Sequence, residues 1–153
     1  MAETLGSLCD KLTVVKLKQW HTDDRARLGS LSAQERQLQQ EISEYVAAAA
    51  RGEIPLERLT FAANKVYKRE GTEVADVQGN LGELFSRLAD VNCRLWHVQE
   101  KVYDFAAVAP ADKDAVIKQL ALLNLERNTC IDALDRGFRT LIEKSWRHAS
   151  HPS

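Results

Sequence analysis

The sequence predicts an all-α protein, an antiparallel bundle of four to five helices built around one long helix. Three observations predict it. From Val74 to Phe105, apolar residues fall at Val74, Val77, Leu81, Leu84, Leu88, Val91, Leu95, Val98, Val102 and Phe105. Steps of three and four keep these on one helix face, whereas a period of two would scatter them over both faces of a strand. Shorter seams of the same kind precede and follow this stretch, and no segment alternates as a strand does. Helical throughout, the segment would span about 48 Å at ~1.5 Å per residue, so it needs other helices to cover its stripe.

Composition sets the outer bounds. The 153 residues suit one helical-bundle domain over 1–153, with 147–153 read as a disordered tail, and 44% hydrophobic with 28% charged residues is ordinary globular composition. Lys plus Arg number 21 against 22 Asp plus Glu, a formal net charge of −1, which leaves no electrostatic footprint for nucleic acid or an anionic membrane. Lys11, Lys16 and Lys18 form a local basic cluster that a solvated helix face explains. Cys9, Cys93 and Cys130 are far apart and odd in number, so they read as small buried hydrophobes in a reducing cytoplasm rather than zinc ligands or a disulfide framework. No basic n-region and apolar run opens the sequence, and no run approaches about 18 apolar residues, so neither export nor membrane insertion is signalled.

Taken in order, the first helix begins near Glu3 or Thr4 and reaches about Arg27, with a seam of Leu5, Leu8, Leu12 and Val15 widened by Val14 and Leu17. Gly6 falls in its first turn, where glycine costs little, and Gly29 is read as its stop. Ser32-Ala33-Gln34-Glu35 has the form of a capping box for a second helix. That helix presents Leu38, Ile42, Tyr45 and Val46, fades through Ala47 to Ala50 and closes at Gly52. Pro55 opens a short helix carrying Leu59, Ala62, Val66 and Tyr67. Thr72 caps the long helix, which Gly79 and Gly82 weaken near its start. Pro110 and Asp112 mark a turn into the last helix, which runs to about Trp146. Its seam is Ile117, Leu120, Asn124, Arg127, Ile131, Leu134, Phe138 and Leu141, and His148 to Ser153 read as frayed.

An internal echo at an offset of 76 lays Leu8, Lys11, Leu12, Val15, Lys18, Trp20, His21 and Asp24 over Leu84, Arg87, Leu88, Val91, Arg94, Trp96, His97 and Glu100. Shared helical periodicity accounts for most of it. His21 with Asp24, and His97 with Glu100, stand at i and i+3, so two such pairs on facing helices could bind a metal as in carboxylate-bridged bundles. A solvated histidine and acid beside a rim tryptophan is the commoner meaning, so no metal is assigned. Glu41, Glu44, Glu73 and Asp76 copy the paired-carboxylate skeleton with which all-helical nucleotide pyrophosphatases hold magnesium, but Pro55 and an extra helix lie between the pairs. The stretch Arg127-x-x-Cys130-Ile131-Asp132-Ala133-Leu134-Asp135-Arg136 resembles the first helix of chorismate mutases, with no room after it for the remaining catalytic helices. No glycine-rich phosphate loop, nucleophile elbow or cofactor motif is present, so no cofactor is assigned.

Asn124 and Arg127 are polar members of an apolar seam. An unpaired buried amide costs about 1–3 kcal/mol, and a buried guanidinium without a carboxylate costs more. Asp10, Glu100 and Glu143 are the candidate partners for Arg127. Such residues either fix helix register, as buried asparagine does in coiled coils, or line a pocket between helices.

At these residues a family resemblance appears. Leu5-Gly6-Ser7-Leu8-Cys9-Asp10-Lys11-Leu12-Thr13-Val14-Val15-Lys16-Leu17-Lys18 is similar to the opening motif of a family of small helical bacterial proteins without an established reaction. Leu88-x-x-Val91-Asn92-x-x-Leu95-Trp96-x-x-x-Glu100 resembles its middle helix, and Leu123-Asn124-x-x-Arg127-Asn128 with Glu143-Lys144-Ser145-Trp146 its last segment. The resemblance covers residues 5–18, 84–102 and 117–146. It departs at Ser7, where the family tends to carry an acid, and over 46–80. Genes of the family often lie near those for glycosyltransferases and surface polysaccharides, which implies an accessory role there. The matching motif positions are Asp10, Lys11, Thr13, Asn92, Trp96, Glu100, Asn124, Arg127, Glu143 and Lys144.

Two functions follow as expectations. The first is a non-enzymatic interaction or scaffold protein, a homo-oligomer or one with a helical protein partner, in which Asp10, Asn124 and Arg127 form a buried ion network. Self-association is expected because the long stripe exceeds what four neighbours cover. The second is a ligand-binding or enzymatic bundle whose pocket, lined by Asp10, Lys11, Asn92, Glu100 and Arg127, takes a small anion such as a sugar phosphate or nucleotide. Lys11 and Arg127 would hold the anion and Glu100 would act as acid or base.

Overall fold

The computed structural model describes residues 2–61 and 78–150. It is all-α: α1 (Leu5–Trp20), α2 (Arg25–Ala50), α3 (Leu81–Tyr103) and α4 (Lys113–Ser150), with single 3-10 turns at Leu56–Arg58, Phe105–Ala107 and Pro110–Asp112. No strand occurs among the described residues. The helices pack antiparallel. Leu81 and Leu84 of α3 lie against Gly137 of α4, while Arg87 and Arg94 reach Glu126, so the two run in opposite directions.

The apolar stripe of α3 forms the centre. Leu84, Leu88, Val91, Leu95 and Val98 are buried against Leu123, Cys130, Ala133, Leu134, Phe138 and Ile142 of α4, with Leu5 and Cys9 of α1 alongside. Leu8 and Val15 of α1 meet Leu31 and Leu38 of α2 in a second cluster, and Ile42 and Tyr45 touch both. From Leu84 to Val98 the expected stripe is buried within the chain.

Several expected boundaries move. α1 stops at Trp20, not Arg27, because Asp24 is extended and its carboxylate accepts from the Arg27 N–H, starting α2 at Arg25. The Ser32 box and Gly29 thus lie inside a continuous helix, where Gly29 faces open space. The stop at Gly52 stands: its φ is +75°, and Glu53 N–H donates to Ala48 O at 3.0 Å in a Schellman closure. Pro55 opens only a 3-10 turn before Leu59. The expected helical positions Ala62, Val66 and Tyr67, the Thr72 cap, and Val74 and Val77 lie outside the described residues.

α3 begins at Leu81 rather than near Val74, so its 23 residues span about 35 Å at ~1.5 Å each. Gly79 has φ +151°, and Asn80 and Glu83 close a capping box. The longest element is instead α4, at 38 residues, which carries the helix through His148 and Ala149, residues expected in a tail. Its seam also shifts. Ile117 and Leu141 are about half exposed and Asn124 is exposed, while Val116, Leu123, Cys130 and Ile142 are buried. A strict three-four stripe drifts around a helix this long, so one frame cannot stay inward along its whole length.

Where α1 crosses α4 the backbones nearly touch. A Cβ on Gly6 would meet Ile131 O at 2.7 Å and an Asp135 carboxylate oxygen at 2.8 Å, so glycine is required by close approach and not merely tolerated. Asp135, 3% exposed, accepts from the Gly6 N–H at 2.7 Å and caps the start of α1 from the neighbouring helix.

Candidate functional site

Asp10 projects from the buried face of α1, 4% exposed, and its partners come from two other helices. Arg127 of α4 donates from Nε to Oδ1 at 2.8 Å and from a terminal nitrogen to Oδ2, and Asn92 Nδ2 of α3 donates to Oδ1 at 2.9 Å. Donating to the Asp10 carboxylate pushes the Arg127 pKa further up, against the effect of its burial. Asp10 was one of three candidate partners; Glu100 and Glu143 make other bonds. Asn124 does not join the network. It is exposed, and its amide donates to Leu120 O at 3.0 Å; Asn92 takes the inner position expected of it.

Beside this network lies a cleft of about 450 Å³, within the range of ~300–1,000 Å³ common for small-molecule sites. Val14, Leu17 and Leu95 form its apolar wall, and Asn92 and Arg127 bring the polar network to it. Lys18 from the end of α1 and Arg27 from the first turn of α2 add two cations. Gln99, Glu100, Tyr103 and Asn124 complete it, all exposed. Three cations thus face one carboxylate on the wall, and neither Lys18 nor Arg27 makes an ion pair among the described residues. Arg25 and Arg27 stand in a first turn that holds no acid, against the helix dipole.

Trp96 is held as a fixed part of the wall. Its indole N–H donates to a Glu100 carboxylate oxygen at 2.8 Å, and the His21 ring stacks on it at 4.6 Å between centroids and 12° between planes. The two Trp-His pairs of the sequence echo therefore have different surroundings: Trp96 is half-buried, whereas Trp20 is 86% exposed.

Of the ten motif positions, Asn92, Trp96, Glu100, Asn124 and Arg127 come together at the cleft, with Asp10 behind Arg127. The others do not. Lys11 pairs with Glu3, and the Thr13 hydroxyl donates to Cys9 O at 3.0 Å. Glu143 pairs with Arg147, and with Lys144 it lies ~24 Å or more along α4 from Arg127. The cleft is also lined by Lys18, Arg27, Gln99 and Tyr103, which the sequence does not single out. Their one signal was Arg25 and Arg27 following Asp24, visible only if Asp24 is taken as a cap.

Among the described residues no three His, Cys, Asp or Glu side chains gather as a metal-ligand group. Asp24 is occupied in capping α2, His21 in stacking, and His97 lies 3.8 Å from Glu100. Glu41 and Glu44 accept from Gln37 and Gln40 on their own helix, and Glu73 and Asp76 lie outside the described residues. No described helix is long and apolar enough to cross a membrane. Cys9 and Cys130 are buried free thiols, the first pushed up to about 12 by burial, but Cys93 is exposed, contrary to expectation. Helical phase explains it, since Cys93 follows Asn92 and falls off the buried stripe. Compared with family models, curated proteins and solved structures, the chain matches none.

Proposed function

We propose that this protein binds a small anionic molecule in the cleft between the ends of α1 and α3, the start of α2 and the N-terminal half of α4. One observation carries the reading: Lys18 and Arg27, which form no ion pair among the described residues, share a cleft wall with Arg127, which buried Asp10 holds in place. Arg27, in the first turn of α2, stands against the helix dipole and gains from a bound anion, and Lys18 adds a second cation from the last turn of α1. Glu100 is committed to Trp96, which supports binding over acid-base chemistry. The three free thiols fit a reducing, cytoplasmic setting.

The test is thermal denaturation with a panel of inorganic phosphate, sugar phosphates, nucleotides and nucleotide sugars, with and without divalent metals. A ligand at about 100 times its dissociation constant stabilises a fold by about 2.7 kcal/mol. The expected result is a midpoint rise with phosphate-bearing compounds that is lost in the Lys18→Ala/Arg27→Ala double variant, whose ligand-free midpoint is not lowered. No rise with any member of the panel overturns the reading.

A second reading, an interaction or scaffold protein accessory to surface-glycan synthesis, is favoured by exposed Trp20, Ile117 and Leu141. It predicts self-association or a helical partner. A monomeric mass at all concentrations, with no change in Trp20→Ser, opposes the self-association arm.

A further inference from the structure

We infer that the ligand of the cleft carries a planar aromatic ring beside its anionic group, which places it in the class of nucleoside phosphates; this rests on the anion-binding reading above. Tyr103 ends α3 and lines the cleft, yet 82% of it is exposed. The other cleft aromatic is already engaged, Trp96 by the stacked His21 ring and by Glu100. Tyr103 therefore supplies the uncovered π-face among the described cleft residues, and an aromatic base stacks on such a face whatever its identity.

Polar groups for the edge of a ring lie on the same wall. Gln99 precedes Tyr103 by four residues and shares its side of the helix. One Asn124 amide N–H donates to Leu120 O, which fixes the side chain and leaves its carbonyl oxygen to accept from an exocyclic amine. Lys18 and Arg27 then take the phosphate. Inorganic phosphate or a sugar phosphate satisfies those cations but leaves Tyr103 in water, and the cleft of about 450 Å³ holds a larger molecule than phosphate.

The experiment is calorimetric titration of the full chain with adenosine and uridine 5′-monophosphates, ribose 5-phosphate and inorganic phosphate. At least one nucleotide should bind about tenfold or more tightly than ribose 5-phosphate, the scale of one base stack. Tyr103→Phe should keep that advantage and Tyr103→Leu should lose it, both variants staying folded because the side chain is exposed. Ribose 5-phosphate binding as tightly as the nucleotides, and weakened by Lys18→Ala/Arg27→Ala, overturns the ring and leaves the anion site standing. Binding of none of the four overturns the ring, and the anion site falls with it if the wider thermal panel also gives no rise.

Discussion

Asp10 and Arg127, 117 positions apart, form a two-pronged ion pair across the α1–α4 contact, and Asn92 of α3 adds a third bond to the same carboxylate. One buried acid thus ties three helices at one level and fixes the guanidinium that borders the cleft.

Breaking that pair should be costly. Arg127→Ala leaves Asp10 buried with only Asn92, so a loss of about 3 kcal/mol is expected, the low end for a buried pair because 32% of the Arg127 side chain is exposed. Urea denaturation measures it. In the double variant Asp10→Ala/Arg127→Ala the loss should fall well short of the sum of the singles.

The α1–α4 crossing separates two glycines that look alike in the sequence. Gly6→Ala should destabilise by about 1–3 kcal/mol, because its Cβ meets the Ile131 carbonyl, a backbone atom that cannot turn aside. Gly29→Ala should stabilise by up to about 1 kcal/mol, since it sits mid-helix facing open space. Paired thermal melts decide both.

Asp135 should make stability depend on pH in the direction opposite to an ion-paired acid. Burial pushes its carboxyl up to about 6 from an ordinary 3.8, and the bonds from Gly6 and Thr4 offset this only in part. Its contribution is full below about pH 4 and is lost as pH rises through 6. Other acids, such as Glu3 paired with Lys11, move the opposite way, so the measurement is a difference. Asp135→Asn should gain on the parent by on the order of 2–3 kcal/mol between pH 4 and 7. A constant difference across that range would remove the assignment.

Thiol labelling should divide the three cysteines. In the native protein Cys93 should react promptly at pH 8, whereas Cys9 and Cys130 should react only on unfolding, being buried with raised pKa values. Mass spectrometry of the labelled chain counts the adducts.

By itself the sequence determined the helical class, the α3 stripe from Leu84 to Val98, the Gly52 stop, and Asp10 as a candidate partner of Arg127. Each rests on local physics: a repeat near 3.6 residues, a residue suited to positive φ, and the rule that a buried charge needs its opposite. The tertiary structure decided where α1 ends, which face of α4 is inward and which motif residues meet. The capping-box form points to Ser32 as the start of the second helix, whereas the structure starts it at the Asp24 cap. Val116 and Ile117 offer two frames for one helix, and packing against α3 selects the first. The cleft was hidden for the same reason. Lys18, Arg27, Gln99 and Tyr103 come from three helices, and nothing local marks these residues as neighbours until the helices have packed.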